Sequence, residues 1–460
     1  MSTESLTRSL LQMRRYHDSG ETRPYGFRRL QLLALKETVL NYEAEINRAL
    51  YEDLKKAPEE VWLTETGLLL QEITHALKRL KRWMRPEKVG TTLLNLPSSS
   101  YLLPSPKGVV LVIGAWNFPL QLLLIPFAGA LAAGNCVVLK PSEFAPATAA
   151  VVEKMIAETF PKELALVVHG NGAEIVPAMM DTFRFDHVFY TGSIPVGKAL
   201  YQSAAKVLVP VTLELGGKDP CIIERDADLK VAARRIVVGK FTNAGQMCVS
   251  PDYLLAHADV KQTLIDLIRG NIAKFYSDHP GDGYGYGKIV NERRFDQLVS
   301  YLSQGRIVAG GEYDRSKLFI APTLLEDVAL DAPVMKEEIF GPILPVFSFR
   351  TDTEAIAIIN QNPNPLSFYV FTGSGRKEKA WLKRIQFGSG CVNNAAFQFT
   401  NHHLPFGGIG QSGIGAYHGR HSFEVFTHKK AVMKTPTWFD PAVKYPPLKG
   451  KLKLLKWLLR

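Results

Sequence analysis

From the start of the chain to about Pro86, leucines recur at helical spacing among charged residues. Leu30, Leu33, Leu35, Val39 and Leu40 form one stripe, and Leu68, Leu69, Ile73, Leu77 and Leu80 another, so amphipathic helices are predicted here. A serine- and proline-rich stretch over 89–107 follows, predicted as a loop or as a hairpin reaching away from the body. The pattern then changes. Apolar runs at 109–113 and 136–139 are each followed by a helix-length segment, and further strands are predicted at 164–168, 186–190 and 207–213. Continuous apolar strands separated by helices indicate a parallel sheet covered on both faces. Beyond Gly217 the alternation resumes with strands at 253–256, 343–349, 368–372 and 391–393, which predicts a second α/β unit.

Size agrees with two units, because 460 residues exceed what one hydrophobic core usually supports. The longest apolar segment, 118–139, is interrupted by Gln121, Pro126, two glycines and Asn135. It reads as a buried helix and a buried strand, not as a bilayer span of about 20 apolar residues. Cys136, Cys221, Cys248 and Cys391 are scattered, with neither a C-x-x-C pair nor a Cys/His group at zinc spacing. No disulfide framework or metal centre is expected, and a reducing, cytoplasmic setting fits.

A net charge of +11 invites a nucleic-acid partner, but much of the excess sits in Lys444, Lys449, Lys451, Lys453, Lys456 and Arg460, with no acid among them. No nucleic-acid partner is expected. In this tail Leu448, Leu452, Leu455 and Leu459 fall on one helical face beside the lysines. That is the composition of a helix lying in a membrane interface; the alternative is a leucine face packed on the body or across a dimer.

Candidate chemistry gathers at strand ends, where open α/β sheets bind ligands. Asn117 either caps the helix that Pro119 opens or donates to a developing oxyanion. Lys140 and Glu143 form either a helix-start turn or a grip on a ribose, whose 2′-hydroxyl would donate to the carboxylate and whose 2′-phosphate would be repelled. Gly192, Ser193 and Gly197 follow a strand and open a helix, where backbone can approach a pyrophosphate, although the spacing is not G-x-G-x-x-G. Gly170-Asn171-Gly172 reads as a turn. Glu214 closes an apolar strand and is either a surface acid or a partly buried base of raised pKa. Cys248 is either a buried structural thiol or a nucleophile.

In chain order, the runs around Asn117, Lys140 to Glu143, Gly192 to Gly197, Glu214 to Gly217, Asn243 to Cys248, Glu338 to Pro342 and Pro405 to Gly408 resemble the signatures of the aldehyde dehydrogenase superfamily over about 30–432. The short N-terminal region, the Lys-Pro-Ser-Glu run and Tyr417-His418-Gly419 resemble its class 3 branch, which includes fatty-aldehyde dehydrogenases. The resemblance implies an α/β fold with a Rossmann-type coenzyme domain (1–85 and 106–213), an α/β catalytic domain (214–421), a small β bridging element (86–105 and 422–436) and a basic tail (437–460). It also implies a homodimer.

The same resemblance implies Cys248 as the nucleophile that forms a thiohemiacetal and then a thioester. Asn117 with the Cys248 N–H would hold the oxyanion, and Glu214 would activate the hydrolytic water. Trp116, Lys140, Glu143, Gly192, Ser193, Gly197, Leu215, Glu338 and Phe340 would contact NAD, with NADP used by some class 3 members. Met247 departs from the residues common in relatives and leaves the thiol softer, more apolar surroundings, and Phe118, where many class 3 members have tyrosine, removes one hydroxyl near the substrate. The implied reaction is NAD(P)-dependent oxidation of a hydrophobic aldehyde, a long-chain alkanal or an apocarotenal, to its acid. One rival is an acylating enzyme releasing the thioester to coenzyme A, against which Glu214 argues. Another is an idle membrane-associated structural protein, against which Cys248, Glu214, Asn117 and Glu338 together argue.

Overall fold

The computed structural model describes residues 3–277 and 280–459. Two largely parallel sheets flanked by helices, and a small antiparallel sheet, form the mixed α/β architecture that the alternation predicted. The first sheet runs in the order Gly413–Ile414, Val211–Glu214, His187–Thr191, Val109–Ile113, Cys136–Lys140, Ala165–Val167. All but the two-residue strand are parallel. The chain moves outward from Val109–Ile113 through two strands and then crosses to the other side at His187–Thr191. The switch point therefore lies between the loops that follow Ile113 and Thr191, where such sheets open a ligand crevice.

Strands 109–113, 136–140 and 187–191 are buried throughout. So is every residue of helix Gln121–Ala133, which packs against Tyr25–Asn41, Gly67–Trp83 and Arg420–Val425 as well as the sheet. Enclosure on all sides explains why 118–139 carries so little polar surface. Among the described residues no helix is long and apolar enough to cross a membrane.

The second sheet has the order Arg306–Ala309, Thr323–Glu326, Ile343–Phe349, Tyr253–His257, Pro220–Ile223, Ser367–Phe371, Ser389–Val392, parallel except for its first pair. The 89–107 stretch supplies Ser99–Pro106, which pairs antiparallel with Glu87–Val89 on one side and with Thr427–Lys434 on the other.

Several predicted elements shift. Helix Ile194–Lys206 is followed by a turn, with Leu208 at φ 54° and 84% exposed, so the strand expected from 207 begins at Val211. The first helical stripe is offset: Leu32, Leu35 and Val39 are buried, whereas Leu30 and Leu40 are exposed. Strands at Pro220–Ile223, Arg306–Ala309 and Thr323–Glu326 were not foreseen. Proline at the first position of a strand is permitted, and it masks Pro220–Ile223 as a turn.

Candidate active site

Helix Leu229–Phe241 ends, and the chain passes through Asn243, Ala244 and Gly245 at φ of 52°, 51° and 74°. Two of the three are not glycine, so the loop is strained and needs neighbours to hold it. Gln246 supplies much of that hold. Its Nε2 donates to the carbonyls of Asn243 (3.0 Å) and Lys288 (2.9 Å), and its Oε1 accepts the Val290 N–H (3.0 Å). A Cβ on Gly245 would stand 2.3 Å from the Gly341 carbonyl oxygen, so glycine allows this loop to lie on the 341–342 turn. The loop delivers Cys248, a free, half-buried thiol.

Asn117 does not cap a helix; the helix opens at Gln121 behind Leu120. The side chain is buried, and its Nδ2 donates to the carbonyl of Gln246 at 3.2 Å, two residues before Cys248. Its main-chain carbonyl accepts from Asn243 Nδ2 (2.9 Å) and from Lys56 Nζ (2.8 Å).

Lys56 was missed by sequence reasoning. It is fully buried, lies 2.7 Å from Glu65 Oε1 and stands 3.9 Å from the centroid of the Phe118 ring. Glu65 Oε2 in turn accepts the N–H groups of Leu120 (3.1 Å) and Gln121 (2.9 Å). A π-helical turn, Trp62–Thr66, sits between Pro58–Val61 and Gly67–Trp83 and carries Glu65. Burial pushes the Glu65 carboxyl up while Lys56 pulls it down.

Glu214 ends the strand beside the switch point and faces Gly413 across the antiparallel edge. It is buried, and among the described residues neither carboxyl oxygen has a hydrogen-bond partner. Burial holds it well above the usual carboxylate range, which excludes the surface-acid reading. Glu338 is pushed up to about 8, by burial first and then by Asp252, against the pull of Arg294 and Lys218. The Cys248 thiol is pushed up by burial and further by Glu338, Asp219 and Glu214. Sulfur and carboxyl groups thus share one electrostatic neighbourhood.

At the end of strand Cys136–Lys140 a groove of about 520 Å³ is lined by Lys140, Ser142, Glu143, His169, Gly170 and Asn171. Lys140 Nζ lies 3.0 Å from Glu143 Oε2, and the Gly172 N–H donates to Glu143 Oε1 at 2.9 Å. Burial opposes ionisation of Glu143, but the Gly172 N–H, its own N–H and Lys140 together hold it below its ordinary range. Gly170 to Gly172 is therefore more than a turn, since it orients this carboxylate; Asn171 also caps helix Gly172–Thr182.

Ser193 precedes helix Ile194–Lys206 without a side-chain cap bond, which leaves that N-terminus available to an anion. Cβ atoms on Gly192, Gly197 and Gly216 would come 2.3 Å from Tyr190 Oη, 2.6 Å from Leu215 Cδ2 and 1.8 Å from Glu338 Oε2. Phe340, at φ 46°, sets its ring edge-on to Trp116 with centroids 5.2 Å apart. An ionised carboxylate beside a lysine, an uncapped helix start and a glycine-lined wall suit a dinucleotide. These donors and acceptors fit NAD(P).

The aldehyde dehydrogenase family model matches residues 13–432. The chain belongs to the aldehyde dehydrogenase family. Over 443 residues it is 43% identical to 4,4'-diaponeurosporen-aldehyde dehydrogenase of Staphylococcus aureus, covering 96% of each chain. Over 454 residues it is 44% identical to aldehyde dehydrogenase family 3 member H1 of Arabidopsis thaliana, covering 97% of this chain and 93% of that one. Its fold matches the solved substrate-bound state of Staphylococcus aureus AldH with a TM-score of 0.97, 41% identity and 99% coverage of both chains. The protein is thus an NAD(P)-dependent aldehyde dehydrogenase with class 3 relatives. Its fold is that of the family.

Proposed function

We propose that this aldehyde dehydrogenase oxidises hydrophobic aldehydes, long-chain alkanals or apocarotenals, with Cys248 as nucleophile, Asn117 as oxyanion donor and Glu214 as hydrolytic base. The observation that carries this reading is the buried, unpartnered Glu214 carboxyl in the same electrostatic neighbourhood as the Cys248 thiol. Cys248 Sγ bonds to the aldehyde carbon as its S–H bond breaks and the proton passes to water, giving the thiohemiacetal oxyanion. As the carbonyl oxygen gains charge, it takes hydrogen bonds from Asn117 Nδ2 and the Cys248 N–H. NAD(P), when bound, would supply the hydride acceptor; Lys140, Glu143, Gly192, Ser193, Gly197, Leu215, Trp116, Glu338 and Phe340 would hold it. The acyl group is left on Cys248 as a thioester. Glu214, with its raised pKa, takes a proton from the water that opens it.

Apolar surroundings support the substrate class. Cys248 and Phe399 pack against a cluster that contains Phe118, Met247 and Val249. The Staphylococcus aureus relative is named for a diaponeurosporen-aldehyde. Glu143 favours NAD over NADP. We assign 1–85 and 106–213 to coenzyme binding and 214–421 to catalysis, with 86–105 and 422–436 bridging a homodimer. Within the tail, 437–460, the segment 448–460 attaches a cytoplasmic enzyme to a membrane surface. The helix spans only Leu452–Leu458, so Leu448 and Leu459, 51% and 71% exposed, flank the predicted face; within it Leu452 is 62% exposed and Leu455 half-buried. Each neighbouring lysine adds about 1 kcal/mol at an anionic leaflet.

Incubation with decanal and NAD, with and without coenzyme A, tests the chemistry. Free acid and NADH without coenzyme A are expected; dependence on coenzyme A would favour an acylating enzyme, and absence of NADH would sink both.

A further inference from the structure

Apart from the catalytic groups, the fold brings together three imidazoles that lie far apart in sequence. His75 belongs to helix Gly67–Trp83, and His402 and His403 to the loop after Gln398–Thr400. One ligand nitrogen from each ring lies within 4.8 Å of the other two. Ring centroids are 4.1 Å apart for His75 and His402, 4.3 Å for His402 and His403, and 5.3 Å for His75 and His403. His402 Nδ1 is buried and has no hydrogen-bond partner among the described residues. Among the described residues no acid belongs to the group. Three ring nitrogens converging from a helix and a loop suit a cation that all three can bind.

We propose that His75, His402 and His403 form a binding site for one divalent transition-metal ion of the imidazole-preferring kind, zinc above all. Tetrahedral zinc takes nitrogen ligands at about 2.0–2.1 Å, which sets the nitrogens about 3.4 Å apart. That spacing is within the present separation. Neutral imidazoles are required, because a proton competes for the same lone pair. Three protein ligands leave a fourth position for water.

The surroundings are rigid enough to present such a site. Glu72, one turn before His75, accepts the Gly419 N–H at 2.8 Å. A Cβ on Gly419 would stand 2.1 Å from the His402 carbonyl oxygen, so helix, loop and the 418–419 turn are in close contact. A bound ion would tie the 401–404 loop to helix Gly67–Trp83. The sequence offered no sign of this, since metal motifs are recognised by local spacing and these ligands meet only through the fold.

The full-length protein, stripped with EDTA and desalted, is titrated with Co²⁺ as an optical probe and then with Zn²⁺. One equivalent of Co²⁺ with visible d–d absorption, displaced by Zn²⁺, is expected. His403→Ala, at the exposed member, weakens binding by at least the 10–100-fold that losing even an outer partner costs. His75→Ala, checked by circular dichroism for an intact fold, does the same. Cys248→Ser leaves binding in place, which separates this site from thiolate coordination at the nucleophile. Co²⁺ affinity unchanged by His403→Ala, loss of binding in Cys248→Ser, or no stoichiometric binding by the parent protein would each overturn the proposal.

Discussion

The Lys56 ammonium lies 2.8 Å from the main-chain oxygen of Asn117 and 2.7 Å from Glu65 Oε1, in full burial. A buried ion pair therefore positions the backbone of the residue proposed to hold the oxyanion. Removing one partner strands a charge in the interior, a loss of about 3–5 kcal/mol. Lys56→Met is expected to lower thermal stability and to reduce kcat more than the aldehyde KM, because Asn117 would drift from the Cys248 loop. Thermal denaturation and steady-state kinetics check both. Unchanged stability and kcat would show the pair to be idle.

Glu214 is expected to act after the acyl enzyme forms. Glu214→Gln should retain a rapid burst of NADH while steady-state turnover falls about 10²–10⁴-fold, the usual range for a lost general base. Stopped-flow absorbance separates the two phases. The sign of the pH dependence follows from burial: a carboxyl held above its ordinary range becomes a base only as pH rises, so wild-type turnover should climb through that raised pKa. A variant lacking the burst but hydrolysing a preformed thioester normally would reverse the assignment.

Much of the candidate site was legible in the sequence because strand-end loops keep their chemistry in short contiguous runs. Asn117, Lys140, Glu143, Glu214 and Cys248 all sit in such runs, and the alternation of apolar strands with helices announced the first sheet. Lys56 and Glu65 were not legible. Their pairing depends on a π-turn, which leaves no periodic trace, and on a carbonyl acceptor that any residue carries. The boundary near Val211 was misplaced for a related reason: Val207 and Leu208 are apolar in composition but lie exposed in a turn, and a short apolar run does not reveal its own burial.

Coenzyme choice should respond to Glu143. Its carboxylate is held ionised by the Gly172 N–H and Lys140, facing a groove of about 520 Å³. An anion there repels a 2′-phosphate. Glu143→Gln is expected to raise kcat/KM for NADP relative to NAD by about tenfold, a shift of about 1.4 kcal/mol. Kinetics with both coenzymes measure it. If the ratio stays fixed, the adenosine ribose is bound elsewhere.

Stability should fall with pH through Glu72. Burial holds this carboxyl up at about 7, against an ordinary 4.5, with only the Gly419 N–H opposing. Its neighbour His418, 3.6 Å away, is pushed down to about 3 by burial and stays neutral over the same range. Because the folded-state pKa is raised, the folded protein binds more protons between 4.5 and 7 than the unfolded chain. The contribution is thus fully present below 4.5 and is lost as pH rises through 7, a change of roughly 3 kcal/mol. Glu214 and Glu338 slope the same way, so the total pH dependence does not isolate Glu72. The difference between wild type and Glu72→Gln does. Urea midpoints at pH 5 and pH 8 should separate by less in the variant, and an equal separation would mean that Glu72 keeps an ordinary pKa in the folded protein.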